Sequence, residues 1–63
     1  RRKIMAALAG GPKTVLEVAE AVGVTPSKAM WWMMGYVRYG YIFPTGESTP
    51  EGYRKYGLPG EEG

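Results

Sequence analysis

The sequence predicts a mainly α-helical domain with a small antiparallel sheet, and three observations carry that prediction. Helix start and stop signals recur through the first forty residues. Immediately afterwards the chain turns aromatic and β-branched, at Tyr41, Ile42 and Phe43. Two such strand-like segments then flank a stretch dense in Pro, Gly, Ser and Thr. With 63 residues there is room for one domain only, which buries roughly 60% of its unfolded surface.

Taken in order, residues 3–9 (KIMAALA) combine strong helix formers with Ile4, Met5 and Leu8 on one face. The Gly10, Gly11, Pro12 run closes this first helix. Thr14 and Glu17 then form a capping box, in which the hydroxyl and the carboxylate each satisfy a backbone donor at the start of helix two. That helix extends to about Ala21, with Val15, Leu16, Val18, Ala19 and Val22 expected inward and Glu17 and Glu20 toward solvent. Gly23 supplies a left-handed turn, Val24 plugs the corner, and Thr25 caps helix three with Pro26 in its first turn. Gly40 stops it. Strand character is expected at residues 41–43 and 53–58, joined by a long tip over 44–52, and residues 59–63 form an acidic tail expected to be disordered. The near echo between residues 35–40 and 52–57 places one copy in a helix and the other in a strand, too short a period for a repeat architecture.

Composition excludes several classes. No cysteine is present to staple the fold and no histidine to ligate a metal, so neither a metal nor another cofactor is expected, and a reducing cytoplasm fits. A start at Arg1 rather than Met points to a processed chain or a segment of a longer one. The basic start is followed by too brief an apolar run for a signal peptide. Net charge is +2, too small by itself to imply nucleic acid. The uncharged stretch over residues 29–37 is nine residues, far short of the roughly 20 that span a membrane. Catalysis is not expected: no Ser, Lys or Tyr has an evident base and orienting partner, and no Gly-rich loop opens a helix after a strand. Binding to a membrane surface through the Met and Trp residues of helix three is disfavoured, because its polar face lacks the Lys and Arg such helices use.

Helix, helix-turn-helix, then hairpin is the order of a winged helix-turn-helix domain, here over residues 1–58, and the likeness reaches particular residues. Residues 14–27 (TVLEVAEAVGVTPS) resemble the helix-turn-helix consensus of ArsR- and MarR-type bacterial regulators. Gly40, Tyr41 and Ile42 resemble the glycine-then-apolar pair with which those families leave the recognition helix and enter the wing. This likeness covers about fifty residues, 4–58. A slighter one, to the small DsrD family associated with dissimilatory sulfite reductase, is carried by Gly46, Ser48, Thr49 and residues 56–60 (YGLPG). The resemblance implies a fold of three helices and a two- to three-stranded sheet. It implies less about function, because such domains read DNA, read RNA or dock on proteins.

Helix three therefore has to decide. Its inward positions fall on Ala29, Trp32, Met33, Tyr36 and Val37, at i, i+3, i+4, i+7 spacing. Its outward positions are Ser27, Lys28, Met30, Trp31, Met34, Gly35 and Arg38. DNA readers carry donors and acceptors in those places, since base edges and phosphates must be met by polar groups. Ser27, Lys28 and Arg38 qualify, whereas Met30, Trp31 and Met34 make an apolar patch of the kind that loses water against another apolar surface. A competing expectation folds Trp31 onto the wing or the first helix as part of the core. The wing tip, residues 46–52, holds two carboxylates and no cation, which would repel a nucleic-acid backbone. Tyr36, Tyr39, Tyr41 and Phe43 are expected mostly to pack in the core and wing rather than to stack bases.

The leading expectation is a non-catalytic recognition module that docks on a protein, or on a second copy of itself, through Lys28, Met30, Trp31, Met34 and Arg38. The alternative is a transcription regulator on duplex DNA, using Thr25, Ser27, Lys28 and Trp31 with Arg54 and Lys55 on phosphates.

Overall fold

The computed structural model describes residues 2–59. Arg1 and most of the expected tail, residues 60–63, lie outside the described residues. In chain order the elements are α1 (Arg2–Leu8), β1 (Lys13–Thr14), α2 (Val15–Val22), α3 (Pro26–Arg38), β2 (Phe43–Ser48) and β3 (Arg54–Gly57). The three strands form one antiparallel sheet in the order β1, β3, β2. Three helices followed by a small antiparallel wing give a mainly α domain, a layout compatible with a winged helix.

Local side-chain chemistry sets the helix ends. The Thr14 backbone N–H donates to Glu17 Oε1 at 2.8 Å and the Glu17 backbone N–H donates to Thr14 Oγ1 at 3.1 Å, so the capping box is complete. Gly23, at φ 85°, ends α2 in the left-handed region, where a Cβ would be strained. Thr25 Oγ1 accepts the Lys28 backbone N–H at 3.2 Å and opens α3.

The far end of α3 closes in a Schellman motif. Gly40, at φ 81°, donates its N–H to the Val37 carbonyl at 3.1 Å, and the Tyr41 N–H reaches back to the Tyr36 carbonyl at 2.8 Å. The Ile42 N–H also points at the Tyr36 carbonyl, at 3.4 Å. Because these two donors serve the helix end, the strand expected over residues 41–43 begins only at Phe43. It then runs on to Ser48, through residues expected to be loop. Register explains how a Pro- and Gly-containing stretch pairs: Pro44 lies opposite Tyr56 and Ser48 opposite Arg54, so β2 carries two more residues than β3 between those points. The excess bulges out at Gly46, φ 91°. Thr45 Oγ1 pins the bulge by donating to the Lys55 carbonyl at 3.4 Å and accepting the Glu47 N–H at 3.2 Å. The tip shortens accordingly to a turn in which Thr49 and Tyr53 exchange hydrogen bonds.

The core is Ile4 and Leu8 of α1, Val18 of α2, Met33 of α3 and Ile42, all almost fully buried. Met5, Val15, Val22, Trp32, Tyr36, Val37, Tyr56 and Leu58 pack around it. α3 thus turns Ala29 and Met33 fully inward, with Trp32, Tyr36 and Val37 flanking, as its spacing predicts. Leu16 corrects the expected inward face of α2. It is 42% exposed, because an eight-residue helix anchored by Val15, Val18, Ala19 and Val22 leaves the next position round its axis on the flank beside the wing. The third strand, β1, is two residues long. Its Thr14 is at once a strand residue opposite Lys55 and the cap of α2, so β3 holds the start of the helix-turn-helix in place.

Candidate functional site

Along the outer side of α3 runs an open groove of about 990 Å³, lined by Ser27, Met30, Trp31, Met34, Gly35 and Arg38 of the helix. Trp32 and Tyr36 contribute from its inner border, and Tyr39 and Tyr41 stand at its end. Trp31 is 75% exposed and Met30 52%. The expectation that Trp31 folds onto the wing or α1 therefore fails: position 31 falls on the side of α3 opposite the buried Ala29 and Met33, where no element among the described residues covers it.

Of the residues expected to meet a partner, Met30, Trp31, Met34 and Arg38 come together along this groove. Lys28 stands apart from its floor, exposed, with Nζ 5.6 Å from the centre of the Trp32 ring, within reach of a cation–π contact. Arg38 sits in the last turn of α3, where a cation complements the negative end of the helix dipole.

The residues of the DNA alternative are more scattered. Thr25 spends its hydroxyl on the helix cap. Ser27 and Trp31 line the groove, while Arg54 lines a second hollow of about 320 Å³ between α2, the start of α3 and the wing. Lys55 points elsewhere. Neighbouring strand residues alternate faces, and Lys55 lies close enough to the Glu17 carboxylate to help hold its pKa below the ordinary value. Arg54 and Lys55 thus face different sides of the sheet.

Two features of this surface escape a reading of the sequence. Tyr39 and Tyr41, expected to pack in the core and wing, are exposed, Tyr39 at 74%. The left-handed Gly40 between them turns the chain so that their rings meet at 6.3 Å, and Tyr41 meets Tyr36 edge-on at 6.2 Å. The second hollow joins the groove, since Ser27 and Met30 line both. Leu16 and Tyr53, each about half exposed, lie along it and extend the apolar band from the wing to the end of α3. The signal for the first was a glycine after a helix; the second needs the fold.

Among the described residues no cluster of His, Cys, Asp or Glu has the arrangement of a metal site, and no helix is long and apolar enough to cross a membrane. Searches of protein-family models, curated proteins and solved structures find no match to this chain.

Proposed function

We propose that this chain is a non-catalytic recognition module, working in the cytoplasm, that docks on another protein through the exposed face of α3. One observation carries the reading: the face a winged helix turns toward its target is here a continuous apolar groove, with Met30, Trp31 and Met34 along it and aromatic rings at its end. Large aromatic and methionine side chains in an exposed, contiguous patch are the usual anchors of a protein interface. Covering Trp31 alone would remove about 150 Å² of apolar surface from water, roughly 4 kcal/mol before the costs of association. Lys28 and Arg38 supply a polar rim that fixes orientation more than affinity.

The alternative is the duplex DNA reader implied by the likeness to ArsR- and MarR-type regulators. The polar residues at the start of α3 favour it; the carboxylates Glu47 and Glu51, exposed on the wing, oppose it. A photoreactive phenylalanine analogue placed at position 31 separates the two in a source-cell extract. A crosslinked product sensitive to protease and indifferent to nuclease supports docking. A nuclease-sensitive product, with duplex binding that weakens steeply as salt rises, supports DNA.

A further inference from the structure

The groove has a shape and a charge, and together they specify what it holds; the inference that follows rests on the docking reading above. Ser27, Met30 with Trp31, Met34 with Gly35, and Arg38 recur at every third or fourth position, so they form one row along the helix axis. The eleven residue steps from Ser27 to Arg38 give a trough roughly 16 Å long. Toward its Arg38 end, Gly35 has no neighbour within 4 Å of where a Cβ would stand, which leaves a notch between the flanking side chains. A straight row with such a notch accepts the ridge of another helix.

An extended segment has a poorer seat. Strand addition needs a regular open edge, and the outer strand β2 offers Pro44, which lacks an N–H, followed by the bulge at Gly46.

Charge narrows the occupant further. Among the described residues no carboxylate lines the groove or the adjoining hollow. Arg38 lies at one end of the row, Lys28 flanks the other, and Arg54 lies on the wing side. Between Glu20 and Glu47 the chain holds Lys28 and Arg38 and no acidic residue at all. The same pattern disfavours a second copy of the chain. Two α3 helices laid parallel bring Lys28 to Lys28 and Arg38 to Arg38, and laid antiparallel they bring Lys28 to Arg38, so either alignment places like charges together.

We infer that the groove binds an amphipathic helix of a partner protein, apolar along one stripe and acidic at both flanks. The stripe seats on Met30, Trp31 and Met34 beside the Gly35 notch, and the flanking carboxylates meet Lys28 and Arg38.

Two designed, fluorescently labelled peptides of about four helical turns test this. Both carry Leu at i, i+4, i+7 and i+11, with either Glu or Lys at every flanking position. Anisotropy titrations with the whole chain should give at least tenfold tighter binding of the Glu peptide. That preference should shrink in high salt and reverse in a Lys28→Glu/Arg38→Glu double variant whose circular dichroism is unchanged. Equal affinity for both peptides, lost in Trp31→Ala, overturns the acidic partner and leaves protein docking standing. Binding of neither peptide overturns the helix-in-groove inference. If duplex DNA then binds with steep salt dependence, docking falls with it. A concentration-dependent dimer that is abolished by Trp31→Ala and competes with the Glu peptide assigns the groove to a second copy and also overturns the inference.

Discussion

Tyr36 and Tyr41 meet twice. The Tyr41 backbone N–H donates to the Tyr36 carbonyl at 2.8 Å, and the two rings stand edge to face at 6.2 Å. This is the apolar contact that accompanies a Schellman helix end, and it also sets the wall of the groove. Everything in it depends on Gly40 at φ 81°. Gly40→Ala should cost about 1 kcal/mol, a fall in melting temperature of roughly 4–8 °C, and should weaken partner binding beyond what the lost stability explains. Thermal unfolding followed by circular dichroism, beside the peptide titration, checks both parts.

Gly35 should behave in the opposite sense. It lies in α3 with ordinary helical φ and nothing within 4 Å of a Cβ position. Gly35→Ala should therefore stabilise the domain by about 0.5–1 kcal/mol while filling the notch and weakening helix binding. A melting temperature that rises as affinity falls is the expected pair of readings.

Trp31 and Met33 are two residues apart and should differ sharply. Trp31→Ala removes a side chain that is 75% exposed and should leave stability within about 0.5 kcal/mol of the parent. Met33→Ala opens a cavity in the fully buried cluster and should cost about 2–5 kcal/mol. A domain of this length has about 3–9 kcal/mol in total, so Met33→Ala should be largely unfolded at moderate temperature. Urea titration of the two variants decides it.

Glu17 gives the domain a pH dependence. Its pKa is lowered chiefly because its carboxylate accepts the Thr14 backbone N–H, with the Thr14 hydroxyl, Lys55 and Lys13 adding to the effect against some desolvation. A carboxylate whose folded pKa lies below its unfolded one contributes stability that is fully present above the unfolded value. That contribution is lost as pH falls through the lowered folded value. The urea midpoint should therefore drop on acidification through that range, and Glu17→Gln, which keeps an acceptor oxygen without the charge, should flatten the drop.

The elements legible in the sequence are those fixed by chemistry between near neighbours. Thr14 with Glu17, Gly23, Thr25 with Pro26, and Gly40 each bind or bend backbone a few residues away, so their spacing alone marks where the helices begin and end. The helical period likewise puts Met30, Trp31, Met34 and Arg38 on one side. β2 was not legible, because Pro44 and Gly46 read as breakers until β3 is present to pair around them. β1 has only two residues and exists through its partner about forty positions later. Tyr39 and Tyr41 lie past the helix, where its period no longer applies, and Leu16 falls on the flank of a short helix beside a wing whose position the sequence does not encode locally.

The pairing of Thr14 with Lys55 also orders events in time. Closing a loop of about forty residues costs roughly 3 kcal/mol of chain entropy, whereas each helix and the α2 to α3 turn form from contacts close in sequence. Contacts close in sequence therefore favour the helices forming before β3 pairs, with Met30, Trp31 and Met34 already in the row that will line the groove. Until β3 arrives, the strand half of Thr14 has nothing to pair with and the cap of α2 stands alone. By that order the row along α3 is drawn early, and the wing that steadies it is expected to be the last piece of the described chain to come into place.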